Sequence, residues 1–349
     1  MKRRKRKITG NVPSELLPTG SAILNCVLAD NPFGGYRKGT IVNIIGDSSA
    51  GKSILAFTTF AAINQAGFDK YRFIYDDAEC ARDSFDAQKL FGKSTVKRLE
   101  APAKDENGEP LSSDTIEDFH MHVKDAVNAK EPFIYILDSF DALDADADEK
   151  KIEEALTARR KGKETAGSYG TSKARKSSEI LRNIRADIKK TDSLLIIVSQ
   201  VRDNLNAGMF GSKRTRSGGK ALKHYSWYEI WLHLGKQIKS KERMIGVESI
   251  PKVSKNRQTG KNREGLFYIY YDLGIDDVGS CVDFLVKEQY WKKKKQTIVA
   301  PEINFEGTKQ KIISHIEDND LENELYTAVD ECWNEIEDSL KLNRKKRFE

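Results

Sequence analysis

The sequence predicts an α/β fold in which a mostly parallel central sheet is flanked by helices, with a small α-rich extension at the C-terminal end. Three observations carry this. Short apolar runs recur along the chain: IVNII from Ile41, then RFIYDD, PFIYILDS, SLLIIVSQ and YEIWLHL. Helical patterns separate them, such as 114–129 and 177–190, and apolar strands alternating with helices build a parallel sheet covered on both faces. Most of the runs end in acids or a glutamine, which collects polar residues at the sheet edge where open α/β folds bind ligands.

The chain has 349 residues, enough for one large domain or a core with a smaller companion. We expect a basic lead-in over 1–18, a core over 19–285 and a charged, mostly helical region over 286–349. Apolar residues make up 38% and charged residues 32%, so a packed core coexists with a very polar surface. With 59 basic against 53 acidic residues the net charge is only +6, so where the charges lie matters more than their sum. The basic start, MKRRKRK, lacks the apolar stretch of a secretory signal; it reads as a nuclear-import signal, an arm touching phosphates, or a solvated tail. The four cysteines form no CxxC pair, which points to reduced thiols in a cytosolic protein. No apolar run reaches the roughly 18 residues of a membrane span.

The first strand runs into Gly46-Asp47-Ser48-Ser49-Ala50-Gly51-Lys52-Ser53, a complete G-x-x-x-x-G-K-[ST], and then into the apolar helix SILAFTTFAAINQ. Glycines let such a loop curl into a nest of N–H groups that faces phosphate oxygens. Lys52 supplies a cation for the β and γ phosphates, and Ser53 a hydroxyl for Mg²⁺. A site of this kind needs a second magnesium anchor and a group to handle the attacking water. Asp138, ending FIYIL, suits the anchor. Glu79, just past RFIYDD, suits the base, with Asp76 and Asp77 as competitors. Gln200, ending SLLIIVSQ, is positioned to sense the γ-phosphate.

At these residues the chain resembles the bacterial RecA recombinase family. The likeness runs through LPTGSAILNCVLADNPFGGYRKGTIVNIIGDSSAGKS, DDAECARD, ILDSFDAL, VSQVRDNLNAGMFGSKRTRSGGKALKHY, VSKNRQTG and GIDDVGSCVDFLV, over roughly residues 18–292. It implies a RecA-type P-loop core and a DNA-dependent ATPase that binds single-stranded DNA, pairs it with duplex, and assembles as a filament or ring with ATP between subunits. It places the catalytic carboxylate at Glu79 and the metal-linked acid at Asp138, with Asp83 and Phe85 beside the nucleotide. It also implies that Lys255 and Arg257 reach a neighbour's phosphates.

Two DNA-facing loops are implied, at about 144–176 and 201–219. The first carries Arg159, Arg160, Lys161, Lys163, Lys173, Arg175 and Lys176. The second carries Arg202, Lys213, Arg214 and Arg216, with Met209 and Phe210 as apolar wedges and Gly218 and Gly219 for close approach. Cations meeting phosphates and apolar groups meeting bases form a coherent single-strand site. The chain departs from the family pattern in four places. Its N-terminal segment is short, its first loop is long and basic, Asp86 stands where an adenine-stacking aromatic is expected, and His224 replaces an interface aromatic. These departures fit a viral member working in a host cytoplasm. The competing readings are a helicase or recombination mediator on the same core, and a regulatory protein that binds ATP without hydrolysing it.

Overall fold

Helix α1 (Ala22–Ala29) precedes β1 (Thr40–Gly46), which is buried at every position. The computed structural model containing them describes residues 12–80, 85–145, 171–203, 214–216, 219–345 and 347. After β1 come α2 (Lys52–Gln65), β2 (Arg72–Asp76), α3 (Ala87–Phe91) and the short edge strand β3 (Leu99–Glu100). Next are α4 (Ile116–Asn128), β4 (Phe133–Leu137), α5 (Thr171–Lys190), β5 (Leu194–Asp203) and β6 (Arg214–Arg216). The core ends with α6 (Gly219–Tyr225), the hairpin β7 (Tyr228–Ser240) and β8 (Arg243–Asn256), then β9 (Phe267–Tyr270), β10 (Gly274–Asp276) and α7 (Asp277–Lys287).

The strands lie in the order β10-β9-β8-β7-β1-β5-β4-β2-β3, with β6 paired to β5. From β7 to β3 every pairing is parallel, and from β7 to β10 every pairing is antiparallel. Alternate side chains of a strand face opposite sides of a sheet. Accordingly Val42, Ile44, Ile136, Ile196 and Val198 join α1, α2 and α7 in one apolar cluster. Ile41, Tyr135, Leu137, Leu195 and Ile197 join α4, α5 and α6 in another. Burial on both faces is why these strands read as unbroken apolar runs.

The α/β expectation holds, and one feature of the C-terminal region differs from the reading. Beyond α7 lies a three-stranded antiparallel sheet, β11 (Lys292–Lys294), β12 (Thr297–Ala300) and β13 (Phe305–Gly307), before helices α8 (Lys309–Asp318) and α9 (Glu322–Ser339). Lysines fill an exposed β11, so no apolar alternation marked it as a strand. The region packs on the core through Trp291, Ile298, Ile312, Leu325 and Trp333. Trp333 donates to Asp30 at 2.9 Å, and Arg263 pairs with both Asp30 and Glu337. Among the described residues no helix is long and apolar enough to cross a membrane.

Candidate functional site

Register alone gathers the predicted groups. Gly46 pairs with Gln200 on β5, Asp76 with Leu137, and Leu137 with Ile197, so the ends of β1, β5, β4 and β2 share one edge. The loop between β1 and α2 needs its glycines. A Cβ on Gly46 would lie 2.9 Å from the Leu232 carbonyl oxygen, and one on Gly51 only 2.2 Å from Ile269 Cδ1. Gly51 is also left-handed, at φ 91°. No side chain caps α2, so an anion can satisfy its first N–H groups. Ser249 props the loop from behind by donating to the Ala50 carbonyl at 3.0 Å.

Lys52 donates to the Asp47 carbonyl at 2.8 Å. Burial pushes its ammonium below the ordinary lysine range, while Asp138, Glu79, Asp141 and Asp47 pull it back up. The same four acids therefore all favour the charged lysine. Asp138 is 3% exposed. Burial pushes its carboxyl up and Glu79 adds to the push, while hydrogen bonds from Ser53 and Tyr75 hold it down. A Ser53 hydroxyl bonded to a strand-end carboxylate suits Mg²⁺, which takes one or two protein ligands and keeps several waters. The Asp138–Ser139 peptide bond is cis.

Glu79 is exposed, and it accepts hydrogen bonds from the Ser139 hydroxyl and, at 3.0 Å, from Gln200 Nε2. Its own N–H donates to the Asp138 carbonyl at 3.1 Å. The competitor Asp76 is fully buried, and its carboxylate accepts from Ser113 N (2.8 Å), the Ser113 hydroxyl (2.6 Å) and Tyr135 Oη (2.5 Å). A carboxylate held in this way has no open path to a water at the loop. Asp77 is half-buried beside it.

Asp141 is a site residue that the sequence reading missed. Its Oδ2 accepts the Gln200 N–H at 2.7 Å, and its Oδ1 accepts Arg202 at 3.1 Å. The one signal for it was an acid three residues past Asp138. Lys173, expected on the DNA side, donates to the carbonyls of Phe140 (3.0 Å) and Leu143. Arg175 is exposed, and Lys176 lies 3.9 Å from Glu117. Phe85 meets Phe57 and Phe91 edge-on at 5.2 and 5.8 Å, and Asp86 caps α3 by accepting from Lys89 N.

Lys255 and Arg257 stand away from the chain's own loop. Lys255 pairs with Glu229, whereas Gly46 pairs with Leu232, three residues or roughly 10 Å farther along β7. Both cations donate to the His224 carbonyl, at 2.9 and 3.0 Å, capping the C-terminal end of α6. With Ser254 and Tyr225 they line an open cavity of about 880 Å³. Asp83, Arg159, Arg160, Lys161, Lys163, Met209, Phe210, Lys213 and Gly218 lie outside the described residues, as do the side chains of Arg214 and Arg216 and the surroundings of Gly219.

Comparison with known proteins accounts for this arrangement. The family model of the RecA N-terminal domain matches residues 5–276. Protein RecA of Acinetobacter baylyi is 29% identical over 309 residues, covering 87% of this chain and 79% of the relative. Protein RecA of Bacteroides thetaiotaomicron is 31% identical over 273 residues, 77% and 72% of the two chains. Protein RecA of Caulobacter vibrioides is 30% identical over 283 residues, 80% and 70%. With a phosphate loop, a serine-bonded Asp138 and a glutamine-bonded Glu79 on one sheet edge, this chain belongs to the RecA family of DNA-dependent ATPases and recombinases.

Proposed function

We propose that this recombinase binds Mg²⁺-ATP on the Gly46–Ser53 loop and couples hydrolysis to single-stranded DNA through β5. Lys52 faces the β and γ phosphates, while Ser53 and Asp138 hold the metal, which offsets phosphate charge. Glu79 takes a proton from the attacking water as the water oxygen bonds to the γ-phosphorus. The bond from that phosphorus to the β–γ bridging oxygen breaks, and ADP keeps the electron pair. The ATPase core spans 19–285 and the C-terminal region 286–349. Four unpaired cysteines support a reducing compartment, the cytoplasm of the cell or of a viral host.

The observation that carries the coupling is the 3.0 Å hydrogen bond to Glu79 from Gln200, the β5 residue that pairs with Gly46. Gln200 thus sits between the γ-phosphate position and the loop that follows β5. Arg202 shares Asp141 with the Gln200 backbone, so an Arg202 drawn to a DNA phosphate would loosen the hold on Gln200. Lys255 and Arg257 serve a neighbouring subunit's ATP in a filament or ring, and the assembly pairs its strand with homologous duplex.

The test is single-stranded DNA affinity across a salt series, with and without an ATP analogue. Removing the cations of Arg202, Lys213, Arg214 and Arg216 should weaken binding and flatten the salt dependence by about one unit of slope per lost contact. An unchanged slope would move the DNA path elsewhere. Absence of DNA affinity in the parent protein would remove the coupling altogether.

A further inference from the structure

Asp76 ends β2 and is spent on structure, yet its surroundings reach both catalytic acids. Its backbone carbonyl accepts the Asp138 N–H at 2.9 Å, and the Asp138 carbonyl accepts the Glu79 N–H at 3.1 Å. The strand ends carrying the two acids are therefore laced together at Asp76. Its carboxylate takes three donors, two of them from Ser113. Because the Ser113 hydroxyl already donates to Asp76, it is free to accept from His122 Nδ1, which lies 2.9 Å away on α4. His122 is 5% exposed, so the whole chain of groups is out of water.

The residues after Ser113 grip a second segment. The Asp144 N–H donates to the Asp114 carbonyl at 3.0 Å, and the Ile116 N–H to the Asp144 carbonyl at 2.8 Å. Thr115 forms a bridge with Asp144 and caps α4 through a reciprocal pair of bonds with Asp118. Asp144 is the first residue of the segment assigned to the first DNA loop. One short stretch, 113–116, thus holds the catalytic strand ends on one side and the entry to that loop on the other.

A buried acid is a costly way to fill this position. The face is apolar, with Phe119, Leu137 and Tyr135 in one cluster, and an apolar side chain would pack there without desolvating a charge. An apolar side chain could not tie Ser113 to the strand end, however. Fully satisfied buried networks fix one arrangement among several that packing alone would permit.

We propose that Asp76, Ser113 and His122 form a positioning clamp through which occupancy of the first DNA loop is transmitted from Asp144 to Glu79 and Asp138. The clamp rests on the assignment of Glu79 as base and of the segment from Asp144 as DNA-facing. It predicts that breaking the clamp reduces DNA stimulation of ATP turnover rather than nucleotide binding.

Ser113→Ala keeps the backbone N–H to Asp76 and deletes the hydroxyl that joins Asp76 to His122. Turnover at saturating single-stranded DNA should fall about tenfold, the rate equivalent of one lost hydrogen bond. DNA-free turnover and the KM for ATP should stay within about twofold, less than that loss. Ser113→Thr, which restores a hydroxyl, should recover the stimulation. A Ser113→Ala protein that melts earlier yet is stimulated normally would overturn the clamp, as would an equal loss of nucleotide affinity. If Ser113→Ala does not fold, Tyr135→Phe removes another donor to the same carboxylate and is judged by the same outcomes. Glu79→Gln measured alongside separates the two ideas. Normal turnover there overturns the base assignment, whereas inactive Glu79→Gln with fully stimulated Ser113→Ala overturns the clamp alone.

Discussion

Replacing Glu79 by glutamine probes the hydrolytic step with little change of shape. The glutamine keeps an oxygen that can accept from Ser139 and from Gln200 Nε2, so the local bonds survive and only the basic carboxylate is lost. The size of the effect depends on whether another acid can take over. Asp76 is fully buried under three donors, and Asp138 is bonded to Ser53 and Tyr75. With neither available, the loss should approach that of an unreplaced general base, about 10²–10³-fold in turnover or roughly 3–4 kcal/mol of barrier. Nucleotide affinity should hold or tighten slightly, because the substitution removes a negative charge from beside phosphate oxygens. Lys52→Ala is the contrast, since it removes the cation and should cost affinity as well. The assay is phosphate release with single-stranded DNA, paired with binding of a fluorescent nucleotide. Turnover within about tenfold of the parent, short of an unreplaced base, would show that a different group activates water.

Two further outcomes are expected. If Lys255 and Arg257 act on a neighbour's phosphates, a Lys255→Ala/Arg257→Ala protein should bind nucleotide normally but lose most turnover, and mixing it with Lys52→Ala protein should restore part of the activity; no recovery on mixing would count against a shared site. The second outcome concerns Asp277, which accepts from Ala22 N at 2.8 Å and Tyr326 Oη at 2.5 Å, and whose carboxyl burial pushes up from 3.8 to about 6. A raised carboxyl favours the protonated fold, so its contribution is complete below pH 3.8 and is lost as pH rises through about 6. Full displacement corresponds to about 3 kcal/mol, and because the residue is only half-buried we expect about 1–3 kcal/mol. Asp277→Asn should therefore gain stability relative to the parent as pH rises from 3.8 to about 6 in urea unfolding; a difference independent of pH would refute this.

Parts of the site were legible because their determinants are local. The phosphate loop is eight consecutive residues between an apolar strand and an apolar helix, and the steric demands on Gly46 and Gly51 act where the motif stands. Asp138 and Gln200 announced themselves by ending apolar runs, since a strand buried on both faces turns polar where its parallel partners end. Asp76, Asp77 and Glu79 could not be ranked in the same way. They follow one strand within four residues, and what separates Asp76 from Glu79 is contact with Ser113 and Tyr135, 37 and 59 residues away.

Composition alone does not say what Lys173 touches. A lysine in a basic stretch reads as a phosphate contact, and this one also reaches the carbonyls of Phe140 and Leu143 in the turn at 140–143. The C-terminal sheet was hidden because β11 is three exposed lysines and the alternation of β12, with Ile298 and Ala300 facing the core, is only four residues long, too short to mark a strand. Asp141 combines both difficulties. It is an ordinary acid in a turn until β5 brings the Gln200 N–H and the Arg202 guanidinium to its two oxygens. Groups that bind phosphate are thus written as motifs, whereas groups that hold those motifs in register are set by pairings between distant strands, and single-sequence patterns carry no record of such pairings.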